Sequence, residues 1–149
     1  MDKKLELKPI TNLDIDWLDK TEYKNLSLEQ RKSLVLDSEQ SNHNGNFFRF
    51  FLVQYGQENV GVISMCGHGE KVISVAPEII MEHRGKSFAF KSLQKAYKIA
   101  KNLGFESATA GIRKENIASQ NLHIKLGFTY ENDYVSKNGN QLKRYSKKL

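Results

Sequence analysis

The spacing of hydrophobic residues changes along the chain between the two-residue period of strands and the three-to-four-residue period of helices. Leucines alternate with charged residues over 4–10, which predicts a half-buried opening strand. Aromatic and β-branched runs at 47–55 and 60–66 predict an antiparallel hairpin, and a further strand fits 72–80. Because Pro77 lacks a backbone donor, we expect a bulge or a local sheet edge at that point.

Two segments in the first 104 residues have helical patterns. Ser27 and Gln30 form a capping-box pattern at the start of a helix that reaches about Gln40. Apolar residues recur every three or four positions over 86–103, with lysines on the opposite side. Gly104 is placed to end this second helix, which has the strongest helical pattern in the sequence.

The last third of the chain continues the alternation. A short strand over 107–112 precedes a helix over 116–126. Two closing strands, 128–135 and 141–146, flank a turn. This order of elements predicts an α/β (α+β) fold in which helices pack on a mixed sheet. No linker or internal repeat divides the chain, so we predict one domain over residues 1–149.

Composition places the chain among ordinary globular proteins. Its 149 residues are 39% hydrophobic and 27% charged. No apolar stretch approaches the roughly 20 residues that a membrane-spanning helix needs, and the amino terminus lacks the apolar segment of a secretory signal. Cys66 is the single cysteine and cannot form an internal disulfide. We therefore predict a cytoplasmic protein that does not enter a membrane.

Positive charge is concentrated in the second half of the chain. Residues 1–74 carry a net charge of −2 and residues 75–149 carry +8. A basic half can simply keep a protein soluble, or it can bind nucleic acid or a polyanionic small molecule such as a phosphorylated cofactor. Composition alone leaves these alternatives open.

The segment RGKSFA, residues 84–89, lies between a predicted strand and the strongest predicted helix. A helix start leaves backbone amides unpaired and carries the positive end of the helix dipole, and Gly85 permits a sharp turn. With Arg84 and Lys86 adding charge, the segment is suited to hold a pyrophosphate. The alternative is a tight strand-to-helix turn whose charges are solvated.

Other phosphate-binding and metal-binding motifs are absent from the sequence. There is no GxxxxGK followed by Ser or Thr, and no GxGxxG followed by an acidic residue at the usual distance. The four histidines lie far apart, and neither HExxH nor CxxC occurs. We therefore expect neither a nucleoside triphosphate or dinucleotide site of these types nor a metal.

A second motif, ENIASQNLHIKLGF at 115–128, makes the pattern specific when it is combined with EHRGKSFAFKSL at 82–93. Over residues 72–130 the chain resembles the GNAT superfamily of N-acetyltransferases. In that family an Arg or Gln, two residues, a Gly, one residue and then Gly or Ala mark the loop that binds the acetyl-CoA pyrophosphate. Here Ser87 replaces the usual Gly, at small cost if it lies in the helical region of backbone space.

The resemblance implies a mixed, mostly antiparallel sheet of about seven strands with helices on both faces. The sheet splits into a V between the fourth and fifth strands, and acetyl-CoA, the donor substrate, lies in the gap. A gap-free alignment puts Ile79 and Ile80 on the fourth strand beside the pantetheine arm, whereas equating Pro77 and Glu78 with the family's Pro-Glu requires a four-residue insertion. The other implied donor contacts are Arg84, Gly85, Lys86, Ser87, Phe88 and Ala89 at the pyrophosphate, Asn116 at the pantetheine arm and Lys125 at an adenosine phosphate.

The resemblance also implies residues for the chemistry. An amine at neutral pH is mostly protonated, so it must lose a proton before it attacks the thioester, and the departing thiolate benefits from gaining one. His123 stands where the family commonly has a Tyr that acts as general acid toward the CoA sulfur, and a structural histidine packed in a helix is the alternative. Gly111 stands where some members carry an acidic base, so the base is left open. The remaining candidates are Glu78, Glu82, Glu70 and His68, or a water relay.

The function predicted from the resemblance is transfer of an acetyl group from acetyl-CoA to a primary amine of a small molecule or protein by direct attack. The alternative is an acyl-CoA-binding sensor of the same fold without turnover, because Ser87 and Gly111 depart from the family pattern. Nucleic-acid binding by the basic half is a third, less favoured function. The acceptor amine is not readable from the sequence, and a homodimer formed through the closing hairpin is left open.

Overall fold

The structure is a computed structural model that describes residues 2–149. Its strands are β1 (Leu5–Pro9), β2 (Phe48–Tyr55), β3 (Glu58–His68), β4 (Val72–Ile79), β5 (Ser107–Arg113), β6 (Thr129–Val135) and β7 (Gln141–Lys148). Its α-helices are α1 (Leu28–Glu39), α2 (Phe88–Asn102) and α3 (Ile117–Lys125), and 3-10 helices span Asn12–Lys20, Glu22–Asn25 and Met81–His83. The predicted order of elements and the predicted fold class are confirmed.

All seven strands form one sheet in the order β1-β2-β3-β4-β5-β7-β6. Neighbouring strands are antiparallel except β4 and β5, which are parallel. These two strands pair only where they begin, Val72 with Ser107 and Ile73 with Ala108. Beyond these pairs β4 and β5 diverge, so the sheet splits between its two central strands as the resemblance implied.

Helices cover both faces of the sheet. On one face α2 and α3 pack on a core that includes Ile63, Met65 and Leu93, all fully buried. On the other face α1 and the first 3-10 helix pack on a smaller core that includes Leu18 and Phe50. The gap between β4 and β5 therefore opens toward α2 on one face of the sheet and toward the first 3-10 helices on the other face.

Pro77 lies at a local edge and not at a bulge. β4 keeps an unbroken register with β3 along its whole length. The amide of Ile80 donates to the carbonyl of Val60 at 3.0 Å, and backbone groups alternate sides along a strand, so the backbones of Pro77 and Ile79 face the gap. The N–H that proline lacks falls where β4 has no neighbouring strand, and no ladder hydrogen bond is lost.

The longest helix begins two residues later than predicted, at Phe88 instead of Lys86. The reason is the backbone of Ser87, which is left-handed and cannot continue a right-handed helix. The start of α1 is as predicted: the hydroxyl of Ser27 accepts from the amide of Gln30 at 3.1 Å, and the side chain of Gln30 accepts from the amide of Ser27 at 2.9 Å. Among the described residues, no helix has the length and apolar character needed to span a bilayer.

Candidate active site

The residues that join β4 to α2 form a loop of open backbone amides. Gly85 and Ser87 both have positive φ, +80° and +64°, and these two left-handed residues turn the chain sharply. The first amide of α2 that bonds within the chain is that of Lys91, which donates to the carbonyl of Ser87 at 3.1 Å. Within residues 2–149, no group accepts a hydrogen bond from the amides of residues 85–90. The loop therefore presents a run of free donors at the positive end of a helix.

The condition under which Ser87 would replace Gly at small cost, a backbone in the right-handed helical region, is not met. Its φ of +64° and ψ of +19° lie in the left-handed region, where a Cβ approaches the following carbonyl oxygen and costs about 1–2 kcal/mol. Glycine avoids this cost, which explains the usual Gly at this position of the motif. The Ser87 hydroxyl does not cap the helix, so the amides of α2 stay open.

Arg84 and Phe88 fix the loop in place. The Nε of Arg84 donates to the carbonyl of Ile79 at 2.8 Å and ties the loop to the end of β4. Phe88 is buried, with its ring centroid 4.8 Å from that of Tyr55. The side chain of Lys86 is exposed, and Ala89 is half-buried. Arg84 thus binds the carbonyl of Ile79, the residue that the alignment puts beside the pantetheine arm. The backbone of Ile80, which the alignment also puts there, faces β3 instead of the gap.

Asn116 begins α3 on the other side of the gap. Its Oδ1 accepts from the amide of Ser119 at 3.1 Å, which caps the helix and fixes the side chain. The residue is exposed, and its side-chain nitrogen Nδ2 has no hydrogen-bond partner among the described residues. That nitrogen is free to donate to a ligand.

His123 lies about two turns further along α3 and is buried, 5% exposed. Its Nδ1 is 2.8 Å from the carbonyl of Ser119, and because a carbonyl only accepts, Nδ1 carries the proton. The ring packs edge-on against Phe128, 5.1 Å between centroids. Burial lowers the pKa of His123, and the hydrogen bond to Ser119 partly opposes that shift. At neutral pH the ring is neutral, with Nε2 as an acceptor.

Lys125 reaches from the last turn of α3 to the first turn of α2. Its Nζ lies 4.6 Å from the centroid of the Phe90 ring, in cation–π contact. Phe90 directly follows the loop 84–89. The charge of Lys125 is therefore held beside the open amides, where the resemblance implied an adenosine phosphate.

On the opposite face of the sheet, Glu78 projects from β4 beside the gap. Its two carboxylate oxygens accept from the amide of Glu22 at 3.1 and 3.0 Å, which ties the second 3-10 helix to β4. Partial burial raises the pKa of Glu78, the carboxylate of Glu22 raises it further, and the hydrogen bond from Glu22 opposes both. The neighbouring Tyr23 has its pKa raised by burial and packs edge-on against Phe50 at 5.1 Å.

The other three candidates for a base are less well placed. His68 ends β3 and its Nε2 is 2.8 Å from the hydroxyl of Ser74, and Glu70 lies in the following turn. Both belong to the end where β4 and β5 still pair, so the sheet is closed beside them. Glu82 is exposed on the short 3-10 helix that precedes the donor loop. Of the four, only Glu78 projects from the part of β4 that borders the open gap.

Tyr134 is a residue of this face that the sequence patterns did not single out. A Cβ on Gly111 would collide with the hydroxyl of Tyr134, so the glycine at the position of the family's occasional acid makes room for that hydroxyl. The guanidinium of Arg144 lies over the Tyr134 ring, 4.3 Å from its centroid. The pairing of β6 with β7 brings these residues to β5, and no local spacing rule reports such a contact.

Metal ligands do not cluster in the described part of the chain: no group of three or more His, Cys, Asp or Glu side chains is arranged to hold an ion. The absence of a metal stays a prediction.

Burial raises the pKa of Cys66, the single thiol, which lies on β3. Its thiolate is disfavoured near neutral pH.

Comparison with known proteins assigns the fold and the family. The family profile described as "Acetyltransferase (GNAT) domain" matches residues 4–129. No curated protein matches the chain by sequence. RimL, a ribosomal L7/L12 alpha-N-protein acetyltransferase in complex with coenzyme A, has a TM-score of 0.82 at 18% identity, over 97% of this chain and 94% of its own.

Two structures of spermidine N-acetyltransferase from Vibrio cholerae are also similar. A dodecameric form has a TM-score of 0.81 at 19% identity, over 97% of this chain and 93% of its own. A complex with CoA and spermine has a TM-score of 0.79 at 18% identity, over 97% and 95%. At these identities the structures establish the shared fold, and the profile covers most of the chain. The chain belongs to the GNAT acetyltransferase family, and it is an acyltransferase.

Proposed function

We propose that this protein transfers the acetyl group of acetyl-CoA to a primary amine of a small molecule or protein by direct attack. The protein acts as one domain over residues 1–149 in the cytoplasm. The observation that carries the proposal is the gap between β4 and β5, which opens beside the free amides that begin α2. The donor enters the gap from the face of α2 and α3, and the amine enters from the opposite face.

The donor extends from the loop at residues 84–89 into the gap between β4 and β5. The amides of residues 85–89 bind the pyrophosphate, and the exposed Lys86 adds charge. The pantetheine arm lies between the backbone of Ile79 and the free side-chain nitrogen of Asn116. The similar structures of RimL and of the spermidine enzyme were determined with coenzyme A, which supports this donor.

The reaction removes two protons from the nitrogen of the ammonium and delivers one to the sulfur. The base takes the first proton, the neutral amine attacks the thioester carbonyl, the carbon–sulfur bond breaks, and the second proton to leave the nitrogen is passed to the thiolate. His123 is neutral with Nε2 as an acceptor, so it orients a water or the nascent thiol instead of acting as a charged acid. Replacing His123 with Phe is expected to lower turnover and leave the affinity for CoA nearly unchanged.

Glu78 is the proposed base, taking the proton of the incoming ammonium. Its position beside the gap and its raised pKa both suit that role, because a base must be close to the nucleophile and basic enough to accept a proton. Activity then rises as pH rises through the pKa of Glu78, since the carboxylate must be ionised to act.

Replacement of Glu78 by Gln tests this assignment. Gln keeps an oxygen that accepts from the amide of Glu22, so the fold is retained while the base is lost. We expect kcat to fall about 100-fold and the acid limb of the pH–rate profile to disappear. Glu82→Gln, an equal charge change at an exposed carboxylate, is the control and should leave kcat within about twofold. A Glu78→Gln enzyme with wild-type turnover and an unchanged pH profile contradicts the assignment.

The acceptor class is tested with two kinds of primary amine. RimL is described as an alpha-N-protein acetyltransferase and the Vibrio enzyme as a spermidine acetyltransferase, so the panel contains peptide N-termini and polyamines. Acidic residues of the first 3-10 helix are already engaged: Asp14 caps the helix through Thr11, and Asp19 bonds Arg31 at 2.5 Å. Release of free thiol with one amine class supports catalysis. Calorimetric binding of acetyl-CoA with no thiol release for any amine supports the sensor alternative.

Association of copies through the closing hairpin is part of the proposal. β6 forms one edge of the sheet and is exposed along almost its whole length, and unpaired strand edges readily pair with another chain. The similar spermidine enzyme is described as dodecameric. A mass measurement in solution gives the number of copies.

A further inference from the structure

Two of the five arginines have no partner within the described part of the protein. Arg31, Arg49 and Arg84 each donate side-chain hydrogen bonds to other groups of the chain. Arg113 at the end of β5 and Arg144 on β7 are exposed, and within residues 2–149 neither makes a side-chain hydrogen bond or an ion pair. The charges and the N–H donors of these two side chains are therefore free to bind a ligand.

Both free arginines project from the face of the sheet opposite α2 and α3, called here the acceptor face. Ile112 of β5 and Tyr145 of β7 are buried in the core under α2 and α3, so their sequence neighbours Arg113 and Arg144 point the other way. Arg144 pairs with Gly111, so Arg113 is its diagonal neighbour on the same face, roughly 7–8 Å away. The core on the acceptor face contains residues of β2 and β3 and none of β5 or β7, so it does not cover the two arginines.

Tyr134 fixes the plane of the Arg144 guanidinium. The central carbon of that group lies 4.3 Å from the centroid of the Tyr134 ring, in cation–π contact. Stacking uses the face of a guanidinium and leaves the N–H groups at its edge free. The hydroxyl of Tyr134 occupies the place that a Cβ on Gly111 would take, so the ring reaches β5, the strand that borders the gap. The stack therefore holds a forked set of donors close to the gap.

The opposite wall of the gap carries a carboxylate at the same level. β4 and β5 are parallel and pair Ile73 with Ala108, and continuing this register puts Glu78 level with Arg113. Within residues 2–149 no ion pair joins Glu78 to Arg113, because the two strands have diverged at this level. On the acceptor face the open gap is therefore bordered by a carboxylate on β4 and by two free guanidinium groups on β5 and β7.

We propose that Arg113 and Arg144 bind an anionic group of the acceptor amine, so that the substrate is a primary amine that also carries a carboxylate or a phosphate. This inference rests on the proposed function, in which Glu78 takes the proton of the ammonium. A guanidinium binds two oxygens of such a group through its paired N–H donors. Glu78 attracts the ammonium while the arginines attract the anionic group, which orients the amine toward the thioester. A polyamine carries only positive charges and is repelled by arginines within the screening length of roughly 8–10 Å.

Pairs of amines that differ in the anionic group test the proposal. γ-Aminobutyrate and ε-aminocaproate are each compared with the corresponding amide, and phosphoethanolamine is compared with ethanolamine. Release of free thiol from acetyl-CoA is measured with full-length protein. We expect kcat/KM to be at least about tenfold higher for the anionic member of a pair, with the difference in KM, and spermidine to be used no better than the neutral members. The pair with the larger preference identifies the anionic group as a carboxylate or a phosphate.

Variants of β7 and β6 test which residues carry the preference for the anionic member. Arg144→Gln should lower the preference about tenfold by raising KM for that member. Lys143→Gln is the matched control, because it makes the same charge change at the next residue of β7, whose Nζ lies 5.2 Å from the Tyr130 ring on the opposite face. It should keep the preference within about twofold. Tyr134→Phe retains the ring and should also keep the preference, whereas Tyr134→Leu removes the ring and should lower it several-fold.

Binding of acetylated products separates this inference from the proposed function. The N-acetyl derivatives of the same pairs are titrated by calorimetry into CoA-saturated protein, a measurement that needs no turnover. If no amine is acetylated, but the anionic derivative binds more tightly than the neutral one and Arg144→Gln removes the difference, the anion site stands and the transfer function fails. The inference is overturned if anionic and neutral members are acetylated and bound equally well, or not at all. It is also overturned if Arg144→Gln lowers the preference no more than Lys143→Gln does.

Discussion

Individual side chains set both the conformational cost and the chemistry of this site. Ser87 holds a left-handed backbone beside the open amides, with φ of +64°. His123 is held neutral by burial, with its Nδ1 proton given to Ser119. Ser87 determines the shape of the loop that binds the donor. His123 determines which proton transfers α3 can assist.

Replacing Ser87 with Gly should stabilise the protein. Glycine adopts positive φ without the clash of a Cβ, so we expect the free energy of unfolding to rise by about 1 kcal/mol, measured by urea denaturation. Ser87→Ala retains the Cβ and removes only the hydroxyl, and it should stay within about 0.5 kcal/mol of wild type. If the Gly variant is no more stable than the Ala variant, the left-handed strain is not present in solution.

His123 should make stability depend on pH below neutrality. Because its folded pKa is below the value of about 6.5 in an unfolded chain, the unfolded state takes up the proton first as pH falls. The contribution of the neutral ring is full above that unfolded value and is lost as pH falls through the lower folded pKa. Denaturation of wild type and His123→Phe between pH 7.5 and about 5 measures this. As pH falls, the free energy of unfolding of wild type should decrease more than that of His123→Phe. Parallel dependences of the two free energies on pH contradict the account.

At the scale of elements, Gln120 holds α3 against the sheet. It is buried, and its Nε2 donates to the carbonyls of Arg113 at 3.2 Å and Lys114 at 2.9 Å. Its Oε1 accepts from the hydroxyl of Tyr145 at 3.4 Å. These bonds join α3 to the end of β5 and to β7, so they fix the helix that carries Asn116 and His123.

Replacing Gln120 with Ala should therefore destabilise the protein. Removing the side chain leaves the buried hydroxyl of Tyr145 without its partner and takes a donor from the carbonyls of Arg113 and Lys114, and we expect a loss of about 2 kcal/mol in the free energy of unfolding. The neighbouring Asn121 is exposed, and Asn121→Ala should change stability by less than about 0.5 kcal/mol. Equal effects of the two substitutions would show that the network does not anchor α3.

Elements with a long, regular period were predictable, and those defined by single backbone angles were not. The pattern over 86–103 identified α2, but its start depends on the conformation of Ser87, which the residue type disfavours. The 3-10 helices were not delimited, because three residues per turn over a short span leave no sustained hydrophobic period. The sequence predicted an irregularity of the strand at Pro77, and only the pairing of β4 showed that Pro77 lies at a local edge of the sheet and not at a bulge.

At the scale of the whole molecule, the two faces of the split sheet divide the site. The donor face is built from two segments that are each continuous in sequence, the loop 84–89 and the start of α3, and their motifs made this face predictable from the resemblance. The acceptor face joins Glu78 to Glu22, 56 positions apart, and brings Tyr134 over Gly111. Contacts at such separations follow from the order of strands in the sheet, which hydrophobic periodicity does not specify.

The central claim is that the amides after Arg84 bind the pyrophosphate of the donor. Calorimetric titration of acetyl-CoA into wild type, Ser87→Glu and Ser87→Gln tests it most directly, with circular dichroism to verify folding. We predict one bound acetyl-CoA per chain for wild type, no measurable binding for Ser87→Glu because of its charge and size, and intermediate affinity for the neutral Gln. Wild-type affinity in the folded Ser87→Glu protein would show that the donor binds elsewhere.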